Sequence, residues 1–236
     1  MFHRQKLKAM YNTNHYKQTK EFFKISALEK QGYYDAKPGQ TLKHNPWQQR
    51  IRKMALVTLD KLLKNNPGTI SKLIDAGCGR GDFAIEIAQR YPNLNQIYGS
   101  DFSKETISIA RQETGPSERV IFCEADLLNM PFQDGQFDIT LCINVLHHIH
   151  INDLANVIKE LTRITKRYLI LEIKNNDNFY YRYIHPTSFG GITVYPTSIK
   201  KLNPLLETNR FHLKEQRGIF VFNWLSPLVL LLYEKP

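Results

Sequence analysis

No run of apolar residues in this 236-residue chain approaches the ~18–20 that a membrane-spanning helix requires. The longest, WLSPLVLLLY, is interrupted by Pro227 and reads as a buried strand. The basic first residues, MFHRQKLKAMYNTNHY, are not followed by an apolar stretch, so no secretory leader is expected and a cytoplasmic location is. Cysteine is scarce. Cys78, Cys123 and Cys142 are odd in number and widely spaced, with no C-x-x-C pair, which excludes a disulfide framework and argues against a zinc site. They sit in or beside apolar segments and read as small buried residues; no metal is expected. Internal repeats and low-complexity tracts are absent.

Acid is missing from the first third of the chain. Residues 1–72 hold 15 Lys/Arg against 4 Asp/Glu, a balance of +11; residues 73–236 hold 17 against 18, a balance of −1. The formal net charge of +10 therefore belongs to the N-terminal segment, which could be a solvated face or could meet an acidic substrate, an acidic protein, nucleic acid or a membrane surface.

Residues 1–30 read as weakly helical, and QGYYDAKPGQTLKHN (31–45) as a loop. From Pro46 the apolar residues of PWQQRIRKMALVTLDKLLKN fall at helical spacing until the breaker NNPG. Strands and helices then alternate. SKLIDAG, NQIYGSD, RVIFCEAD, FDITLC and RYLILEIK read as strands; Asp82–Tyr91, Lys104–Glu113 and INDLANVIKELTRI read as helices, the last capped by Asn152 or Asp153. A helix over SIKKLNPLLETN precedes two closing strands, FHLKEQRGIFVFNW and LVLLLYEKP. Such alternation specifies an α/β fold: a doubly wound, mostly parallel seven-stranded sheet of Rossmann-like type with an antiparallel last strand. The boundary falls at about residue 66, dividing a basic N-terminal helical lid (1–66) from a core (67–236) that carries a lid insertion near 175–196.

The stretch LIDAGCGRGDFAIEIAQ places Gly77, Gly79 and Gly81 directly after an apolar strand. Glycine there either turns the chain or lets a ligand approach the backbone. In parallel sheets, ligands sit at the carboxyl ends of the strands, where the strand order switches. Asp101 lies 20 residues beyond Gly81, at the end of the second strand, where a carboxylate can hold both hydroxyls of a ribose. Asp126, at the end of the third strand beside Leu127, can accept from an adenine amino group. A glycine loop alone is a weak signal; a glycine loop with acids at the ends of the next two strands is a strong one.

LIDAGCGRGDFAIEIA, IYGSDFS and CEADLLNMPFQDGQFDITLCINVLHHI together resemble, in order and spacing, the class I S-adenosylmethionine-dependent methyltransferases. The likeness is to their small-molecule branch, which includes ubiquinone/menaquinone C-methyltransferase-like proteins. It covers about residues 70–175. The turn DAGCGRG, rather than G-x-G-x-x-G, favours the methyl donor over a nicotinamide cofactor. The resemblance implies S-adenosylmethionine as donor and S-adenosylhomocysteine as product. It places Asp75, Gly77, Gly79 and Gly81 around the methionine part, Asp101 on the ribose, Phe102 against the adenine, Asp126 and Leu127 at the adenine edge, and Asn144 beside the amino and sulfonium end. The chain departs from the family pattern in two turns: RITKRY where LKPGG is usual, and Asn209-Arg210-Phe211 where Gly-Phe is usual.

A sulfonium donor is already activated, so the protein chiefly orients the acceptor and excludes water; a base is required only if the acceptor must lose a proton. His147 and Glu172, at the ends of the fourth and fifth strands, are the candidate catalytic groups. His148, Tyr181, His185 and Tyr195, with Tyr33 and Tyr34 from the N-terminal segment, are candidates for the acceptor pocket. Tyr180, Tyr183 and Phe189 extend that aromatic set, and His44 and Trp47 adjoin it. The leading reading is methylation of a small-molecule acceptor at O, N or C, in free, acidic or carrier-protein-bound form. The alternatives are an RNA or protein methyltransferase using the basic segment, and a donor-binding scaffold without transfer activity. Nucleic acid is not expected, since no NPPY or DPPY follows the fourth strand and no aromatic–basic stripe for stacking bases is present.

Overall fold

Burial on both faces is what the apolar strands demand, and the tertiary structure supplies it. The computed structural model describes residues 46–184, 188–189, 192–220, 222 and 225–236, with Thr19 and Glu21. In chain order the elements are α1 (Pro46–Asn65), β1 (Lys72–Ala76), α2 (Asp82–Arg90), β2 (Gln96–Asp101), α3 (Lys104–Thr114), β3 (Val120–Glu124) and β4 (Phe137–Cys142). They continue with α4 (Leu154–Ile164), β5 (Thr165–Lys174), the short pair β6 (Ser188–Phe189) and β7 (Ile192–Thr193), α5 (Ile199–Thr208), β8 (His212–Gly218) and β9 (Leu228–Glu234).

Seven of these strands form one sheet in the order β3-β2-β1-β4-β5-β9-β8. The first five run parallel, and β9 is antiparallel to both neighbours. The expected mostly parallel, seven-stranded sheet with an antiparallel last strand is therefore the one that forms. Strand order reverses at β1, so the crevice above β1 and β4 is the switch point where ligands bind in such sheets.

Two cores follow from the strand alternation. On one face Leu73, Ile97, Phe122, Leu141 and Ile170 pack with α1, α2 and α3. On the other, Ile74, Cys142, Leu171 and Val229 pack with α4 and α5. Helix α1 is an integral layer of the first: Ile51, Ala55 and Leu59 are fully buried. At about 1.5–3 kcal/mol for a fully buried large aliphatic side chain, α1 is held as firmly as any helix of the core. The lid expected over residues 1–66 is described only in this helix; residues 1–45, apart from Thr19 and Glu21, lie outside the described residues.

Some local readings change. Asp153 stands at the N-cap of α4, but its side chain makes no capping bond there, and its backbone lies in the α region rather than the extended one a cap requires. The glycine-free turn before β5 is no turn at all: α4 ends at Ile164 and β5 begins at Thr165, whose hydroxyl donates to the Leu161 carbonyl. At the end of α5, Arg210 occupies the left-handed region at φ 65°, the conformation that glycine adopts without penalty. Its amide donates to the Glu207 carbonyl, and the amide of the buried Phe211 donates to that of Leu206. Arg210→Gly is expected to stabilise the protein by about 1 kcal/mol, read as an upward shift of the urea midpoint at unchanged slope.

Candidate active site

The glycine loop is built to be left-handed. Gly77, Gly79 and Gly81 have φ of 81°, 55° and 81°. A Cβ on Gly81 would stand 2.3 Å from the Phe122 ring, and one on Gly77 would stand 2.4 Å from Val145. Gly81→Ala adds backbone strain to that collision and should cost about 3 kcal/mol of stability in denaturant unfolding. The loop is tied to β2 by the Gly77 and Cys78 amides, which donate to the Ser100 carbonyl at 2.7 and 2.9 Å. The buried Arg80 pairs with Glu113 of α3, anchoring the loop's far side. At the N-terminus of α2 the cap residue is Gly81, which has no side chain to occupy the first-turn amides.

Asp101 closes the loop from beneath. Its Oδ2 accepts from the Gly79 amide at 3.1 Å and its Oδ1 from the Ser103 amide at 3.0 Å. Burial pushes its carboxyl up to about 6, opposed by the backbone donors. Asp75 shares a face of the sheet with the α1 side, and burial pushes it up to about 7; Arg52 of α1 opposes the rise and Asp101 adds to it. Phe102 follows Asp101 and is partly buried. Asp126 and Leu127 are partly buried at the end of β3, where Asp126 Oδ1 accepts from the Leu128 amide at 3.0 Å.

Past the switch point, Asn144 takes up φ 62°, an uncommon conformation for a residue with a side chain. Two bonds hold it there. Its amide donates to Glu172 Oε2 at 2.7 Å, and its Oδ1 accepts from Gln48 Nε2 at 2.7 Å, across 96 residues of sequence. Glu172 is fully buried, two residues before the end of β5, and its Oε1 has no partner among the described residues. Burial pushes it up to about 7, against the pull of Lys174 and the Asn144 amide. Lys174 is itself lowered by burial. Gln48 and Lys174 belong to this site and were missed from sequence. Gln48 carries no local signal, whereas Lys174 follows Glu172 at a spacing of two, the strand period that places both on one face.

His147 is 2% exposed, its ring centroid 4.0 Å from that of His148, and its carbonyl accepts from the Tyr195 amide at 2.8 Å. Tyr195 stacks edge-on against His150, ring centroids 5.0 Å apart. Tyr181 is buried, with the Lys174 ammonium 6.0 Å from its ring, whereas Tyr183 is 68% exposed. Trp47 meets the Tyr180 ring at 5.6 Å. Tyr33, Tyr34, His44 and His185 lie outside the described residues. Burial holds the thiol of Cys78, in the loop, well above its ordinary range, so it is a packing residue rather than a nucleophile. Among the described residues, no group of His, Cys, Asp and Glu is arranged to hold a metal ion.

The strand order sets these groups in a row along the carboxyl edge: Asp126 on β3, Asp101 on β2, the glycine loop on β1, Asn144 after β4, Glu172 on β5. At ~4.8 Å between neighbouring strands the row spans ~19 Å, a groove for an elongated ligand with hydroxyl and amino groups. Residues 73–167 match the family model described as a methyltransferase domain. The match takes in the glycine loop, Asp101, Asp126, Asn144 and His147, and stops short of Glu172.

Among curated relatives, the 2-phytyl-1,4-naphtoquinone methyltransferase of Trichormus variabilis is 33% identical over 96 residues, covering 39% of this chain and 41% of that protein. The demethylmenaquinone methyltransferase of Bacillus licheniformis is 30% identical over 149 residues, covering 58% and 62%. The chain thus spans less than two thirds of the length of these relatives. The magnesium protoporphyrin IX methyltransferase of Synechocystis PCC 6803, solved with bound S-adenosylhomocysteine, superposes with a TM-score of 0.68 at 20% identity, over 92% of this chain and 98% of that one. That likeness shows that the two chains share a fold. Among the described residues, no helix is long and apolar enough to cross a membrane.

Proposed function

We propose that this protein transfers the methyl group of S-adenosylmethionine to a small-molecule acceptor. The observation that carries the reading is the row of polar groups along the carboxyl edge, from Asp126 through Asp101 and the glycine loop to Asn144 and Glu172. The residues fit the donor: a buried carboxylate for the ribose hydroxyls, a left-handed glycine turn for close backbone approach, and Asn144 pinned at the far end of the turn's groove. The relatives, named for methylation of quinones and a porphyrin, support a flat, largely apolar acceptor.

The donor supplies a methyl carbon on a positively charged sulfur, which an acceptor atom displaces in line. Asp101 and the glycine loop fix the adenosyl end. Asn144, pinned in its unusual conformation, sets the position of the other end. Helix α1, through Gln48 and Trp47, covers the groove and excludes water. Glu172 is the group placed to take a proton from the acceptor, since a carboxyl near 7 is matched to neutral pH. His147 adjoins it in the strand order and orients the partly buried His148 through ring contact. Tyr181 and Tyr195 contribute apolar wall.

Calorimetric titration with S-adenosylmethionine and S-adenosylhomocysteine, with NAD and ATP as controls, tests the donor site. Selective micromolar binding of both adenosyl ligands is the expected result, followed by turnover of phenols, hydroquinones or porphyrin acids in a product screen. Absence of binding by either would show that the glycines only turn the chain.

A further inference from the structure

Seven large apolar side chains are exposed among the described residues, and five of them lie on two loops at one end of the sheet. Phe179 and Tyr183, in the segment after β5, are 64% and 68% exposed, with ring centroids 5.0 Å apart. Phe220, Phe222 and Leu225, in the loop between β8 and β9, are 45%, 59% and 43% exposed. The two loops are joined. The Asn175 amide donates to the Pro227 carbonyl and the Asn175 side chain to that of Ser226, while Trp47 packs against both Tyr180 and Phe220. Because β8 runs in the same direction as β5, both loops leave the carboxyl edge, beside the mouth of the groove.

The charge around this patch is mostly positive. IFVFNWLSP, residues 219–227, carries no charged residue. Residues 174–201 hold four Lys/Arg and one acid, Asp177; Lys200 and Lys201 are exposed, and Thr197, shortly before them, bonds through its backbone to Lys174 and Asn176. Exposed aromatic side chains with exposed lysines nearby in the chain are the composition of a surface that sits at the headgroup level of a bilayer, where aromatic rings enter the interface and Lys/Arg meet anionic lipid. A folded protein partner would not require the cations, and a nucleic acid would not require an aliphatic and aromatic tip without a single charge.

We propose that these two loops dock the protein onto an anionic membrane surface, with Phe179, Phe220, Phe222 and Leu225 entering the interface and the basic rim held against the headgroups. The groove then opens toward the lipid, so that an apolar acceptor reaches it without crossing water. This docking does not depend on the identity of the acceptor.

The test is flotation of the full chain with vesicles of equal parts phosphatidylcholine and phosphatidylglycerol, and with phosphatidylcholine alone. Binding to the anionic vesicles is expected, weakened at ~0.5 M salt, where screening shortens to a few ångströms. The combined variant F179S/F220S/L225S should lose about tenfold in partitioning, as three apolar contacts are removed, and F220S alone should lose part of that. Donor affinity, measured by calorimetry on the same variants, should stay unchanged, which separates loss of docking from loss of fold. No binding to anionic vesicles overturns the proposal. So does binding that the variants leave intact, which would assign it to the basic segment alone, and so does salt-sensitive binding to RNA with none to vesicles.

Discussion

Asp101→Ala should lower affinity for S-adenosylmethionine about 100-fold, the largest single-residue effect expected on the donor. Two hydrogen bonds from ribose hydroxyls to a carboxylate, at about 1.5 kcal/mol each, account for about 3 kcal/mol. The same carboxylate accepts from the Gly79 and Ser103 amides, so its loss also frees the glycine loop. Asp101→Asn separates the two contributions. It keeps one acceptor oxygen and the shape, so an affinity close to the parent's would assign the effect to loop geometry. A loss close to that of Asp101→Ala would assign it to the charge. Unchanged affinity in both variants would remove Asp101 from the donor site. Calorimetric titration decides among these outcomes.

Glu172→Gln should reduce turnover about 100-fold or more while leaving donor affinity near the parent value, as expected for a proton acceptor. The parent rate should rise with pH through about 7, because burial pushes the carboxyl there and only the ionised form takes a proton. In the variant that rise should vanish. If donor affinity falls instead, the unpartnered oxygen holds the amino group of the donor and not the acceptor's proton. Stability runs the other way. A buried carboxyl raised to about 7 contributes stability that is fully present below the ordinary carboxylate value and is lost as pH rises through 7. Asp75 and Asp101, pushed up to about 7 and about 6, act in the same sense. The protein without donor should therefore lose melting temperature between about pH 4 and pH 7. A positively charged donor should restore more of it at pH 8 than the uncharged homocysteine product does.

The parts of this molecule that were legible in the sequence are those governed by neighbours along the chain. Apolar strands with helices between them dictate a parallel sheet. Glycines after the first strand and acids after the next two mark its carboxyl edge, and the structure sets Asp101 and the glycine loop in direct contact. What the sequence hides is set by pairing between remote segments. Gln48 reaches Asn144 because α1 packs onto the sheet, and no local pattern encodes that packing. Asp153 has the side chain of a cap, but the turn from His150 delivers it with helical backbone angles. Arg210 shows the converse: a long polar residue held in the left-handed region because Phe211 must reach the core.

The position of β9 also shapes how the protein is made. Every other large-sheet strand is synthesised before it, yet β9 lies between β5 and β8 and pairs with both. While residues 228–234 are still inside the ribosome, the backbone of YLILEIK has no partner on one side, and β8 has none at all. A nascent chain with an open, largely apolar strand edge invites pairing with another copy. The carboxyl half of the sheet thus closes in one late step, and slow synthesis or a stall before Leu228 leaves the most aggregation-prone edge of the molecule bare.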